Sequence, residues 1–129
     1  MSRSLLVMVA GPYRSGTGDD PEKIARNLAR LEEAALEVWK LGHLAVIGEW
    51  LALPLMQRAG SKAIGDAAYE AFSYPLADRL LAHCDAVLRL PGASVGADGD
   101  VEVAGMLGLP VYRDLKALPP GGPVRRRSS

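Results

Sequence analysis

Three short, largely apolar runs, Leu5–Ala10, His43–Ile47 and Asp85–Leu90, each stop on glycine or proline, at Gly11-Pro12, Gly48 and Pro91-Gly92. Runs this short, rich in Val, Ile and Leu, read as strands buried on both faces. Pro110-Val111-Tyr112 reads as a fourth. Between the first two, Ile24, Leu28, Leu31, Ala35 and Val38 recur at steps of four, three, four and three, which draws one apolar stripe along a helix. Asp19 or Asp20 caps that helix, Pro21 opens it and Gly42 stops it. Further helices are expected over Trp50–Ala59 despite Pro54, over Ala67–His83 with an interruption at Tyr74-Pro75, and over Val101–Leu107 after a glycine-bearing loop from Ala93 to Gly99. Strands alternating with helices predict an α/β sandwich: a parallel sheet of four to five strands wrapped by helices.

At 129 residues the chain is one domain's worth. The folded unit is expected over 1–118. The remainder, 119–129, is rich in Pro, Gly and Arg and reads as a flexible tail. Fifteen basic residues balance fifteen acidic ones, so there is no general electrostatic attraction to DNA or RNA and little charge repulsion between copies. Nucleic acid is therefore not an expected partner, and self-association, as a homodimer or larger homo-oligomer, is made easier. Cys84 is the only cysteine, which excludes an internal disulfide and a cysteine metal cage and fits a reducing, cytoplasmic setting. No apolar run is long enough for a membrane span, and no histidine pattern suggests a metal, so neither membrane, metal nor organic cofactor is expected.

In parallel sheets of this kind ligands bind beyond the carboxyl ends of the strands. Three segments lie there. Gly11, Pro12, Tyr13 and Arg14 follow the first strand. They form neither a Walker loop nor a dinucleotide fingerprint, but they offer backbone N–H groups, an aromatic ring and a guanidinium, which suit a stacked base with a phosphate or hydroxyl. An ordinary glycine-rich turn has the same composition. Glu49 and Trp50 follow the second strand, and a carboxylate against an indole loses solvation, which raises its pKa and suits proton transfer. After the third strand come Ser94, Gly96, Ala97, Asp98, Asp100 and Glu102. The glycines admit close approach of a ligand, and Asp98 is placed to cap the following helix. Carboxylates here can accept sugar hydroxyls, or one can attack an anomeric carbon.

Leu6-Val-Met-Val-Ala-Gly11-Pro12-Tyr13, Asp78 ahead of Cys84-Asp85-Ala86-Val87-Leu88, and Pro91-Gly-Ala-Ser94-Val-Gly96-Ala97 followed by Gly108-Leu-Pro-Val-Tyr112 resemble, in that order, the nucleoside 2-deoxyribosyltransferase-like superfamily. The resemblance covers nearly all of the first 115 or so residues and is closest to small members with a Ser-x-Gly-Ala loop. It implies a flavodoxin-like, Rossmann-like fold, assembly into homo-oligomers, and cleavage or 2-deoxyribosyl transfer at the N-glycosidic bond of a nucleoside or nucleotide. The family nucleophile, a glutamate, stands six positions beyond the loop serine. Counting from Ser94 that position is Asp100, with Asp98 and Glu102 as the other candidates. Asp78 resembles the family's base- or sugar-holding aspartate and Tyr13 its loop aromatic, whereas Glu49 is carried by its chemistry alone. The shorter Asp in place of Glu leaves a second expectation open, a module that binds or senses a nucleotide or nucleotide-sugar without cleaving it.

Overall fold

The computed structural model describes residues 3–122. Four strands, β1 (Leu6–Ala10), β2 (Leu44–Val46), β3 (Ala86–Arg89) and β4 (Val111–Tyr112), form one parallel sheet in the order β2-β1-β3-β4. Four helices flank it: α1 (Pro21–Lys40), α2 (Gly48–Arg58), α3 (Ala67–Leu81) and α4 (Val95–Met106). This is the single-domain α/β sandwich that the strand–helix alternation predicts, in the flavodoxin-like or Rossmann-like form that the resemblance implies.

Alternation along β1 divides the core. Val7 and Val9 face α1, where Ile24, Leu31, Ala35 and Val38 present the apolar stripe. Met8 and Ala10 face the other way, onto Leu81 of α3 and Ala97 and Ala104 of α4. The two small alanines let α4 lie close against the sheet. A third cluster, Ala52, Met56 and Tyr69, joins α2 to α3.

Three local expectations are corrected. The helix after β3 begins at Val95 rather than Val101, because Ser94, not Asp98, is its cap: the Ser94 hydroxyl accepts from the Ala97 N–H at 3.1 Å. Gly96 to Asp100 therefore lie in α4 and not in a loop. Helix α3 runs through Pro75 without a break. It forgoes one backbone bond there and keeps its packing on both neighbours.

The Pro/Gly-rich segment expected to leave the domain at Pro119 begins docked upon it. The Pro119 carbonyl accepts a 2.6 Å bond from His43 Nε2, and the Gly121 N–H donates to the Leu41 carbonyl at 2.7 Å. The backbones of Gly42 and Gly121 approach so closely that a Cβ on Gly42 would stand 2.8 Å from the Gly121 oxygen. Residues 123–129, with the arginine run, lie outside the described residues.

Candidate functional site

A cavity of about 380 Å³ opens at the carboxyl ends of β1 and β3. Met8, Val9 and Ala10 contribute its floor, and α2, α3, the start of α4 and the loop after β1 contribute its walls. A second depression, of about 460 Å³, is a groove beside α1 and Pro91 that gathers only Arg30, Glu33 and Glu37 as charged groups.

Helix α2 starts directly on the end of β2, so Glu49 in its first turn is carried over the strand ends. Burial raises its pKa, against the pull of a hydrogen bond from its own backbone N–H. The indole is not the cause. Trp50 points away and its Nε1–H donates to Glu32 at 2.9 Å on the α1 side. Glu49 instead faces two tyrosines that also line the cavity. Burial first, and then the charge of Glu49, raise the pKa of Tyr13 and push that of Tyr69 up to about 12.

Asp100 enters the cavity from α4. Helical spacing places it on the face of Gly96 and Ala97, one turn beyond the capped end. Burial, then the nearby charges of Glu49 and Asp78, raise its pKa to about 7, against the opposing pull of Arg89. Asp98 and Glu102, four residues apart, share an outward face. The Asp98 side chain is 69% exposed and bonds Arg89 Nη2 at 2.8 Å, and Glu102 is exposed. Neither lines the cavity.

Arg89 ends β3 as a buried cation. Besides Asp98 it donates to the carbonyls of Leu90 and Gly92, and so ties the turn after β3 to the first turn of α4. Pro12 packs against Gly92, whose φ of +117° admits no ordinary side chain; it joins the first and third loops without lining the cavity. Asp78 is exposed on α3, outside the lining, and acts on the site through its charge on Asp100. The Ser94 hydroxyl faces the cavity while committed to its cap.

Arg14 does line the cavity, but each of its three nitrogens already donates to a carboxylate. Asp19 takes Nε at 2.7 Å and Nη2 at 3.2 Å, and Glu70 takes Nη1 at 3.2 Å. The guanidinium stands 5.8 Å from the centroid of the Tyr69 ring, a cation–π arrangement, and Gly65, at φ +89°, leaves room for it where a Cβ would collide. Asp19 sits at φ +60°, a conformation aspartate tolerates, and Thr17 supports the turn by donating to the Arg14 carbonyl and accepting from the Asp19 N–H.

Of the residues expected at the site, Gly11, Tyr13, Arg14, Glu49, Ser94, Gly96, Ala97 and Asp100 line one cavity; Pro12, Trp50, Asp78, Asp98 and Glu102 do not. Sequence reasoning missed Tyr69, Glu70 and Asp19. Asp66 is the signal for the first two: it caps α3 by accepting from the Tyr69 N–H, and burial of a tyrosine one turn into a capped helix marks an inward wall. Among the described residues, no three His, Cys, Asp or Glu side chains gather closely enough to ligate a metal. No helix among them is long and apolar enough to cross a membrane.

No family model matches the chain, and no curated protein or solved structure matches it significantly.

Proposed function

We propose that the protein cleaves the N-glycosidic bond of a nucleoside or nucleotide, by hydrolysis or by transfer of the sugar, with Asp100 as nucleophile and Glu49 as its proton partner. The single observation that carries this is two carboxyl groups, neither in an ion pair, sharing one tyrosine-walled cavity, where burial raises the proton affinity of both and the charge of Glu49 raises that of Asp100 further. Like charges held close do not both ionise readily, so the pair keeps one proton up to about pH 7. That is the stock of one base and one acid that glycosidic cleavage needs.

The reactive form is the one in which the proton that Asp100 ordinarily holds has passed to Glu49, so that Asp100 is the carboxylate. An Asp100 oxygen bonds to the anomeric carbon as the carbon–nitrogen bond breaks, and the Glu49 proton passes to the departing base. Glu49, now a carboxylate, takes a proton from water or from an incoming base, whose oxygen or nitrogen attacks the anomeric carbon and frees Asp100. Tyr13 and Tyr69 supply flat apolar surface for the base. The likeness to nucleoside 2-deoxyribosyltransferases supports the same assignment, since Asp100 stands at that family's nucleophile position. It also supports a homo-oligomer, and the lone Cys84 supports a cytoplasmic setting.

A second reading, binding without cleavage, is favoured by the proton on Asp100, because a neutral carboxyl is a hydrogen-bond donor to a ligand and a poor nucleophile.

Incubation with a panel of 2′-deoxynucleosides and their 5′-monophosphates, followed by chromatography for free base, separates the readings. Base release is expected, falling above about pH 7 as the pair loses its shared proton, and dropping about a thousandfold or more in Asp100→Asn. A ligand that raises the melting temperature but is recovered intact supports the binding module. Neither release nor a thermal shift with any member of the panel contradicts both.

A further inference from the structure

We infer that the cavity selects a nucleoside that carries no 5′-phosphate, and that Asp19 and Glu70 enforce this choice by occupying Arg14. The inference rests on the nucleoside reading above and narrows its substrate class.

Arg14 is the one cation lining the cavity among the described residues, against the four carboxyl groups of Asp19, Glu49, Glu70 and Asp100. A guanidinium in such a place would ordinarily be the phosphate receptor. Here each nitrogen of its fork already donates to a carboxylate: Asp19 binds it at two and Glu70 at the third, and its central carbon stands over the Tyr69 ring. A phosphate monoester brings a charge of about −1.5 to −2 at neutral pH and would have to compete with carboxylates already bonded to the cation.

The other groups that attract anions do not compensate. The amino end of α4 is already capped, the Ser94 oxygen accepting from the Ala97 N–H, and the carboxyl of Asp100 follows one turn later on the same face. Arg89 is buried outside the lining, with its terminal nitrogens turned to the Leu90 and Gly92 carbonyls and to Asp98. Sugar hydroxyls suit the same surroundings, because they donate to carboxylates with no charge to repel. Positive charge developing on the sugar ring is stabilised by those acids as well. The volume, about 380 Å³, lies near the small end of ligand cavities, which run from about 300 to 1,000 Å³.

Calorimetric titration of the full chain at low salt tests this, with 2′-deoxyadenosine and 2′-deoxycytidine each set against its own 5′-monophosphate. The nucleoside is expected to bind about tenfold tighter or more. Raising the salt should shrink the gap, and so should the double variant Asp19→Asn/Glu70→Gln, in which asparagine still tolerates the left-handed backbone. A monophosphate that binds the unaltered protein as tightly as its nucleoside overturns the inference.

A second arm uses inorganic phosphate followed by ³¹P line width, and needs no nucleoside. No broadening is expected with the unaltered protein and measurable broadening with the double variant. Broadening by the unaltered protein that the double variant does not increase overturns the role of Asp19 and Glu70. If no nucleoside or monophosphate binds while phosphate is still excluded, the nucleoside reading falls alone and the exclusion of phosphate stands.

Discussion

The two ends of the sheet treat buried polar groups in opposite ways. At the amino ends of the strands each is tied off. Asp85 accepts from the Leu6 N–H at 2.8 Å and from Arg3 at 2.7 Å. His43 accepts from the Leu5 N–H at Nδ1, at 3.0 Å, which leaves the proton on Nε2 to donate to Pro119. At the carboxyl ends, Asp100 has no hydrogen-bond or ion-pair partner among the described residues, and Glu49 has only its own backbone N–H. Groups that serve folding are paired by folding; groups left wanting partners in a cavity are available to a ligand.

The largest expected break in that contrast is His43→Ala. It removes a side chain that is 1% exposed and strands the Leu5 N–H and the Pro119 carbonyl. We expect a loss of about 3 kcal/mol in urea unfolding, with ligand binding unchanged in the folded fraction. A loss below about 0.5 kcal/mol would show that the amino end is not held as described.

The other end should respond with the opposite sign. Asp100 binds its proton with a pKa of about 7 in the folded chain, against 3.8 for the ordinary side chain. Folding therefore favours the protonated form, and stability falls as pH rises from about 4 through 7. Asp100→Asn removes that penalty. It should stabilise the protein by about 2 kcal/mol at pH 8 and by almost nothing at pH 4, measured by urea unfolding at both. Equal effects at the two values would mean that Asp100 carries no raised pKa.

Much of this was legible in the sequence wherever one force dominated. The apolar runs ending on Gly or Pro gave β1, β2 and β3, and the Ile24-to-Val38 stripe gave α1 almost to the residue. Convergence of Tyr13, Arg14, Glu49 and Asp100 followed from parallel topology alone. What was hidden depended on packing. Gly96 and Gly99 read as loop because glycine is a poor helix former, yet the Ser94 cap and the contact of Ala97 and Ala104 with the sheet hold them in a helix. That single shift turned Asp98 and Glu102 outward and Asp100 inward. Trp50 misled because adjacency in sequence at a helix start sends successive side chains to different faces. Arg14 looked free because its partners lie five and fifty-six residues away. Helix α3 has no clean stripe, being packed on α2, on α4 and on the sheet, and so its periodicity did not show that Tyr69 closes the cavity; the Asp66 cap was its one local signal.

A carbon-detected NMR titration of the aspartate and glutamate carboxyl groups, in the unaltered protein and in Glu49→Gln, reaches the central claim most directly. The account predicts that Asp100 titrates near pH 7 and that removing the Glu49 charge lowers this by about one unit. An Asp100 signal that titrates near pH 4 and ignores the substitution would contradict it.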